Sequence, residues 1–250
     1  MLFDHVKMWG SILAGFILPD TKKVKLLIFA QGRSGSTLLE SLLCSTGYFS
    51  KQGEPLGIYN HVLAQPSRFL MGFAKLKTGQ NFLCHTKIYH LITPEVTFQN
   101  PGKFVHTLHR KGWKVIFLER ENTARQVISS HIADHRKVWH RVNEREDHFE
   151  FTLDLGEFEK EVVQRLEFLK QENQIAAQIP HLKLSYEQDL LDLDKQAETT
   201  AKVLEFLGLP PKPASTHLRK TTERKLSDVL TNYREYKELL HKKGWDRFLD

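Results

Sequence analysis

The chain reads as an α/β protein in which helices cover both sides of a central parallel sheet, a three-layer α/β/α arrangement, and three observations predict it. Strand-like apolar runs alternate with helical stretches, the first run is apolar without alternation, and a glycine-rich turn joins that run to a helix. Residues 23–30 (KVKLLIFA) form the first strand, which stops at Gln31-Gly32. After Gly35, leucines at 38, 39, 42 and 43 mark one face of a helix that ends on Gly47. Residues 82–88 give a second strand, and Lys114–Glu119 a third, preceded by a helix and a turn through Arg110, Lys111 and Gly112. Helical periodicity runs through 122–138 and 155–179, where Pro180 ends it. A short strand at Leu182–Ser185, a helix from about residue 189 to 207, a proline-rich turn at 208–213 and a charged helical tail from Thr221 complete the pattern.

At 250 residues, with 40% hydrophobic and 26% charged side chains, the chain is expected to form one domain over 1–250. Residues 1–22 then serve as a leading extension and 218–250 as a C-terminal segment. The net charge of +6 favours anionic partners without choosing among them. The two cysteines, Cys44 and Cys84, give neither a disulfide framework nor zinc-ligand spacing, and are expected to be small core residues. The apolar run at 9–19 lacks the flanks of a secretory signal and is too short to span a bilayer, so it is read as a short leading helix and the location as cytoplasmic. A shallow membrane contact through that helix, followed by Lys22, Lys23 and Lys25, is the alternative. No motif for nucleic acid is present.

The segment Gln31-Gly32-Arg33-Ser34-Gly35-Ser36-Thr37 lies between strand and helix, so its backbone N–H groups and the positive helix end converge on one point suited to a phosphate. Laid against the pattern G-x-x-x-x-G-K-[ST], Ala30 stands where the first glycine belongs and Ser36 where the lysine belongs. Only Thr37 keeps its place, and the positive charge sits three residues earlier, at Arg33. This disfavours an ordinary magnesium-ATP enzyme while keeping an anion cradle. A purely structural turn is the plain alternative.

The run R-S-G-S-T-L-L after a buried strand resembles the 5′-phosphosulfate loop of sulfotransferases that use 3′-phosphoadenosine 5′-phosphosulfate (PAPS), in the arginine-bearing variant of carbohydrate, tyrosylprotein and nodulation-factor enzymes. The resemblance implies a P-loop-like domain, PAPS as co-substrate, no metal, and a carbohydrate or glycolipid hydroxyl as acceptor. Sulfuryl transfer, like phosphoryl transfer, chiefly needs a pre-aligned cradle for charge on the leaving group. On this resemblance Arg33, Ser34, Gly35, Ser36 and Thr37 hold the 5′ side of the cofactor. Arg120, after the third strand, and Ser129, in the next helix, are similar to the family's 3′-phosphate motif, although Glu119 stands where relatives often carry a second arginine. Arg219 and Lys220 resemble the segment that closes over the nucleotide, with a solvated charge run as the alternative. Leu184-Ser185-Tyr186-Glu187 resembles a strand end of structural role in the family. The resemblance covers residues 24–250.

An attacking hydroxyl needs a base within hydrogen-bond reach. Glu54, in Gly53-Glu54-Pro55, occupies a turn expected on the same sheet edge as the glycine loop, and related sulfotransferases carry their proposed base in a similar turn. An exposed turn glutamate is the bland alternative. If Glu54 is the base, its surroundings are expected to lift its pKa towards neutrality. His85 and Lys87 alternate along the second strand and share a face. Lys87 either stabilises the sulfonate, binds acceptor, or is a solvent-facing charge. His131, His135 and His140 surround Trp139 after Ser129. The i, i+4 pair has metal-ligand geometry but no third ligand, so an acceptor-facing surface is preferred.

Two other readings stay open: a divergent nucleotide kinase, weakened by the missing loop lysine, and a non-catalytic nucleotide-binding module. Segments 59–79 and 137–155 are expected to shape the acceptor pocket. The sequence carries no signal of acceptor identity or oligomeric state.

Overall fold

The computed structural model describes residues 2–59, 65–77, 79–92, 100–137, 148–218 and 224–249. They divide into two compact units, the first comprising Met1–Glu119 with Gln171–Thr216 and the second Arg120–Lys170 with His217–Asp250. Among the described residues, no helix is long and apolar enough to cross a membrane.

The first unit opens with helix α1 (Leu2–Ile17), followed by β1 (Lys25–Ala30), α2 (Ser36–Ser45), β2 (Phe49–Ser50), α3 (Pro55–Tyr59), α4 (Pro66–Leu76) and β3 (Asn81–Thr86). Then come α5 (Pro101–Arg110), β4 (Lys114–Glu119), β5 (Leu182–Ser185) and α8 (Leu193–Phe206). The strands form one parallel sheet in the order β2-β3-β1-β4-β5. β1 is central and entirely buried, which is why its run KLLIFA does not alternate. Because successive side chains point to opposite faces, Leu26, Ile28, Leu83, Ile116, Leu118 and Leu184 share one face, where they pack with leucines of α2 and with Val203 and Leu204 of α8. The other face carries Phe82, which meets Phe73 of α4 edge-on at 5.8 Å and Trp113 at 5.5 Å. The predicted α/β/α class is therefore the observed one.

The chain runs from β1 to the edge strand β2 on one side, returns to β3 between them, then crosses to β4 and β5 on the other side. The order reverses at β1, and ligands of open parallel sheets bind outside the carboxyl ends of the strands at such a reversal. Residues 31–35 leave β1 at that point.

α1 and α4 approach closely through glycines. A methyl group on Gly72 would lie 1.6 Å from the Ser11 carbonyl oxygen, and one on Gly15 2.6 Å from that of Arg68.

The second unit contains α6 (Thr123–Arg136), the larger part of α7 (Leu155–Ala176) and α9 (Tyr233–Lys242). Its core gathers Val127, Ile128, Phe158, Val162, Tyr236 and Phe248.

Three elements differ from the sequence expectation. β3 stops at Thr86 because Ile88–His90 form a 3-10 turn, closed by the Leu91 N–H donating to the Ile88 carbonyl. The helix expected from about 189 is preceded by a π turn at Tyr186–Leu190, since Asp189 folds back to accept from the Ser185 N–H at 2.7 Å, and α8 starts only after Asp192 caps it. In the tail, residues 224–232 carry only a 3-10 turn at Leu226–Asp228, and the Asn232 side chain both accepts from the Leu153 N–H and donates to its carbonyl. Helix α9 begins at the next residue.

Gly72→Ala is expected to lower stability in urea unfolding by roughly 2–3 kcal/mol, because a backbone carbonyl cannot yield as a side chain can. Gly10→Ala, on the same pair of helices but with open space around the new methyl group, should instead stabilise by about 0.5–1 kcal/mol.

Candidate functional site

The loop after β1 is held in an uncommon backbone shape. Arg33 has a φ of 66° and Gly35 a φ of 90°, and the left-handed region costs a non-glycine residue about 1–2 kcal/mol. Such strain, where tertiary structure maintains it, is common at binding sites. The Ser34 hydroxyl is buried and donates to the Gln31 carbonyl at 2.6 Å, so it braces the loop from inside. Gly35 can be nothing larger: a methyl group there would stand 2.7 Å from the ring of Tyr186. The segment Leu184-Ser185-Tyr186-Glu187 thus sets the Tyr186 ring against the loop.

Glu54 lies in the first unit with this loop, and its turn is fixed from two sides. The Gly53 carbonyl accepts from the His85 N–H at 3.0 Å. The carboxylate of Glu40, from the buried face of α2, accepts from the N–H groups of Gln52 and Gly53 at 3.0 and 2.7 Å. Gly53 itself has a φ of 65°, so a side chain there would be strained.

His85 then stands between two carboxylates. Its Nε2 is 3.4 Å from Glu40 and its Nδ1 3.3 Å from Glu54. These are ion-pair contacts, not well-aligned hydrogen bonds. Burial alone would lower the imidazole's pKa, but the contacts with Glu40 and Glu54 outweigh it and raise it. Glu40 is wholly buried; burial pushes its carboxyl up, and His85 with the two backbone N–H groups brings it below its ordinary value.

Glu54 also meets Lys87, whose Nζ is 2.7 Å from Oε2. Burial raises the Glu54 pKa, yet His85 and the Lys87 ammonium together pull it down to about 2. The expected lift towards neutrality is therefore corrected: two cations at contact distance overwhelm the burial effect. His90, 3.5 Å from Glu54, has its pKa lowered by burial to about 4 and stays neutral at physiological pH. The cluster thus sets two carboxylates, Glu40 and Glu54, against the His85 ring, whose charged form they favour, and the Lys87 side chain.

Lys87 links this cluster to the glycine loop. A methyl group on Gly32 would lie 3.6 Å from Lys87 Nζ and 2.7 Å from the Tyr89 hydroxyl. The structure thus brings together the loop around Gly32, Lys87, His85 and Glu54. Glu40, Tyr89 and His90 complete the group and were not singled out in the sequence. Glu40 carried a readable signal, being a charge on the leucine-lined face of α2, whereas nothing marked His90.

Arg120 and Ser129 belong to the second unit, Arg120 directly after β4 and Ser129 half-buried on α6. Glu119, the replacement for a second arginine, pairs with Lys183 at 2.8 Å. Arg219, Lys220, Trp139 and His140 lie outside the described residues. His131 contacts Glu161 at 3.5 Å and His135 stacks on Phe151 at 5.3 Å, so each ring of the pair has its own neighbour. Among the described residues no group of three His, Cys, Asp or Glu could hold a metal. Burial raises both thiols, Cys44 to about 11 and Cys84 further, which leaves them poor nucleophiles.

Comparison of the chain with protein-family models and with curated proteins finds no match.

The cluster makes stability depend on pH in a defined window. Glu54 is depressed from 4.5, so its contribution is complete above 4.5 and lost as pH falls towards 2. His85 is raised from 6.5, so its contribution is complete below 6.5 and lost as pH rises through its folded value. Glu40→Gln should cost roughly 3 kcal/mol, the scale for breaking a buried ion pair, and should flatten the alkaline side of the stability curve. Urea unfolding of both proteins across pH checks both effects.

Proposed function

We propose that the chain is a PAPS-dependent sulfotransferase that moves a sulfuryl group to an acceptor hydroxyl. The observation that carries the reading is Lys87, whose ammonium is 2.7 Å from Glu54 and stands beside Gly32 of the glycine loop. One cation shared by a carboxylate and an anion cradle is what in-line transfer to a hydroxyl requires. The motif resemblance around Arg33, and that of Arg120 with Ser129, supplies the cofactor.

In this mechanism the loop amides, the α2 helix end and Arg33 hold the 5′-phosphate. The acceptor oxygen attacks sulfur, the bond between sulfur and the bridging phosphate oxygen breaks, and its electron pair leaves with adenosine 3′,5′-bisphosphate. The hydroxyl proton passes to Glu54, while Lys87 offsets charge on the transferring group and leaving oxygen. A carboxylate held near 2 is always ionised but weakly basic. A sulfonate bound at the loop draws on the Lys87 charge that otherwise stabilises ionised Glu54, so basicity rises where substrate is present. Glu40 and His85 act as positioning residues, through the turn and the carboxylate. A carbohydrate or glycolipid acceptor follows from the resemblance alone.

The test is a calorimetric titration of adenosine 3′,5′-bisphosphate against ADP and AMP. Selective binding of the bisphosphate, weakened by roughly 1–3 kcal/mol in Arg33→Ala and in Arg120→Ala, is expected. Equal affinity for ADP would favour a nucleotide kinase, with Lys87 replacing the loop lysine, and failure to bind any of the three would overturn both enzyme readings. Glu54→Gln should keep the nucleotide affinity and lose about 10²- to 10⁴-fold in turnover. A non-catalytic module would show no such loss, because it has no turnover to lose.

The pH profile follows from the same charges. Wild-type kcat/KM should show no acid limb from Glu54 until well below 4.5, and Lys87→Met should move that limb upward as the carboxylate loses its ammonium. An acid limb in the wild type near neutrality would assign the base to another group.

A further inference from the structure

Helix α1 is apolar on two faces, and only one of them is covered. Met8, Ile12 and Ala14 are buried, while Val6, Trp9, Leu13, Phe16 and Ile17 are 67, 59, 58, 55 and 68% exposed. Their spacing of three and four residues places them on a single outward stripe about 100° wide, which Leu18 extends. Isolated exposed apolar residues are ordinary, but a contiguous row of this size marks a surface that meets something.

The surroundings of the stripe are basic. Lys7 and Lys22 are exposed, the Arg68 guanidinium lies 3.8 Å over the Phe16 ring, and Lys75 Nζ holds the carbonyls of Gly15 and Leu18 at the helix end. Across the described side chains of 6–25 and 65–77 the one acidic group is Asp20, and Lys25 already pairs with it at 2.6 Å. Phe16 also borders a cavity of about 290 Å³ whose polar lining is Lys25, Arg68, Lys75, Lys111 and Asp20. Lys25 begins β1 and Lys111 precedes β4, so this cavity lies at the amino ends of the strands, at the opposite end from the glycine loop. It is a second anion-attracting place.

We propose that α1 is an interfacial helix by which the first unit docks on an anionic lipid surface. The outward stripe enters the boundary between headgroups and acyl chains, Trp9 takes the interfacial position its amphipathic ring favours, and the surrounding lysines and Arg68 meet lipid phosphates. Sixteen residues at 1.5 Å each span about 24 Å, short of the roughly 30 Å hydrocarbon core, so the helix lies in the interface and does not cross it. Charge selects this occupant over a second copy of the chain. Two such faces brought together would oppose their basic rims, whereas an anionic bilayer complements both the apolar row and the charge. The proposal stands on α1, α4 and the basic residues beside them and is independent of the reading of the glycine loop.

Co-sedimentation of the full chain with vesicles of phosphatidylcholine alone, and of phosphatidylcholine mixed with phosphatidylglycerol, tests it. Binding to the anionic vesicles only, weakened by salt, roughly fivefold by Lys22→Gln and at least tenfold by Trp9→Ser combined with Leu13→Ser, is expected. The altered side chains are exposed, so folding is preserved, and an unchanged urea midpoint verifies this. Failure to bind either vesicle, or equal binding to both, overturns the proposal. So does sedimentation equilibrium showing a dimer that the Trp9→Ser and Leu13→Ser pair abolishes, since the stripe would then belong to a second copy.

Discussion

A carboxylate sealed into the helix behind the glycine loop organises the site. Glu40 has no exposed surface, yet it holds two backbone N–H groups of the Gln52-Gly53 turn and one side of the His85 ring. A buried charge of this kind is tolerated only when its lone pairs are satisfied and an opposite charge is near. His85 supplies that charge, and its other ring nitrogen faces Glu54. The bridge Glu40–His85–Glu54 joins the helix after the loop, the third strand and the candidate base into one electrostatic unit. A change at any of the three is felt by the others, since additivity fails inside such a network.

The sheet order gives this unit its location. β1 lies between β3 and β4, so its carboxyl end is the point where strand order reverses. Alternation along β3 sends His85 to the face covered by α2, and the 3-10 turn after Thr86 turns Lys87 and Tyr89 back towards Gly32. Gly35 is required by crowding together with a left-handed backbone, while a side chain at Gly32 would press on the Tyr89 hydroxyl. The site therefore depends on packing as much as on charge.

The parts that were readable from sequence were those with local signals. The unbroken run of β1, the glycine loop, the leucine face of α2 and the Gly53-Glu54 turn all follow from period and residue type. What escaped was set by distance along the chain. Glu40 meets Gly53 thirteen residues away, and its pairing with His85 is between elements with no shared pattern. The direction of the Glu54 shift was misjudged for the same reason: burial can be guessed from one residue, but the cations that reverse its effect come from another strand. β2 is only two residues long, too short for any period to register. The π turn at Tyr186–Leu190 depends on one side chain, Asp189, folding back on its own backbone.

The account requires a charged imidazole between two carboxylates, and nuclear magnetic resonance of the ¹⁵N-labelled His85 ring measures this directly. The ring should deprotonate above the ordinary value of 6.5, and the midpoint should move when adenosine 3′,5′-bisphosphate fills the loop. A ring that titrates at or below 6.5 would contradict the bridge, and with it the coupling of Glu40 to Glu54 through the ring.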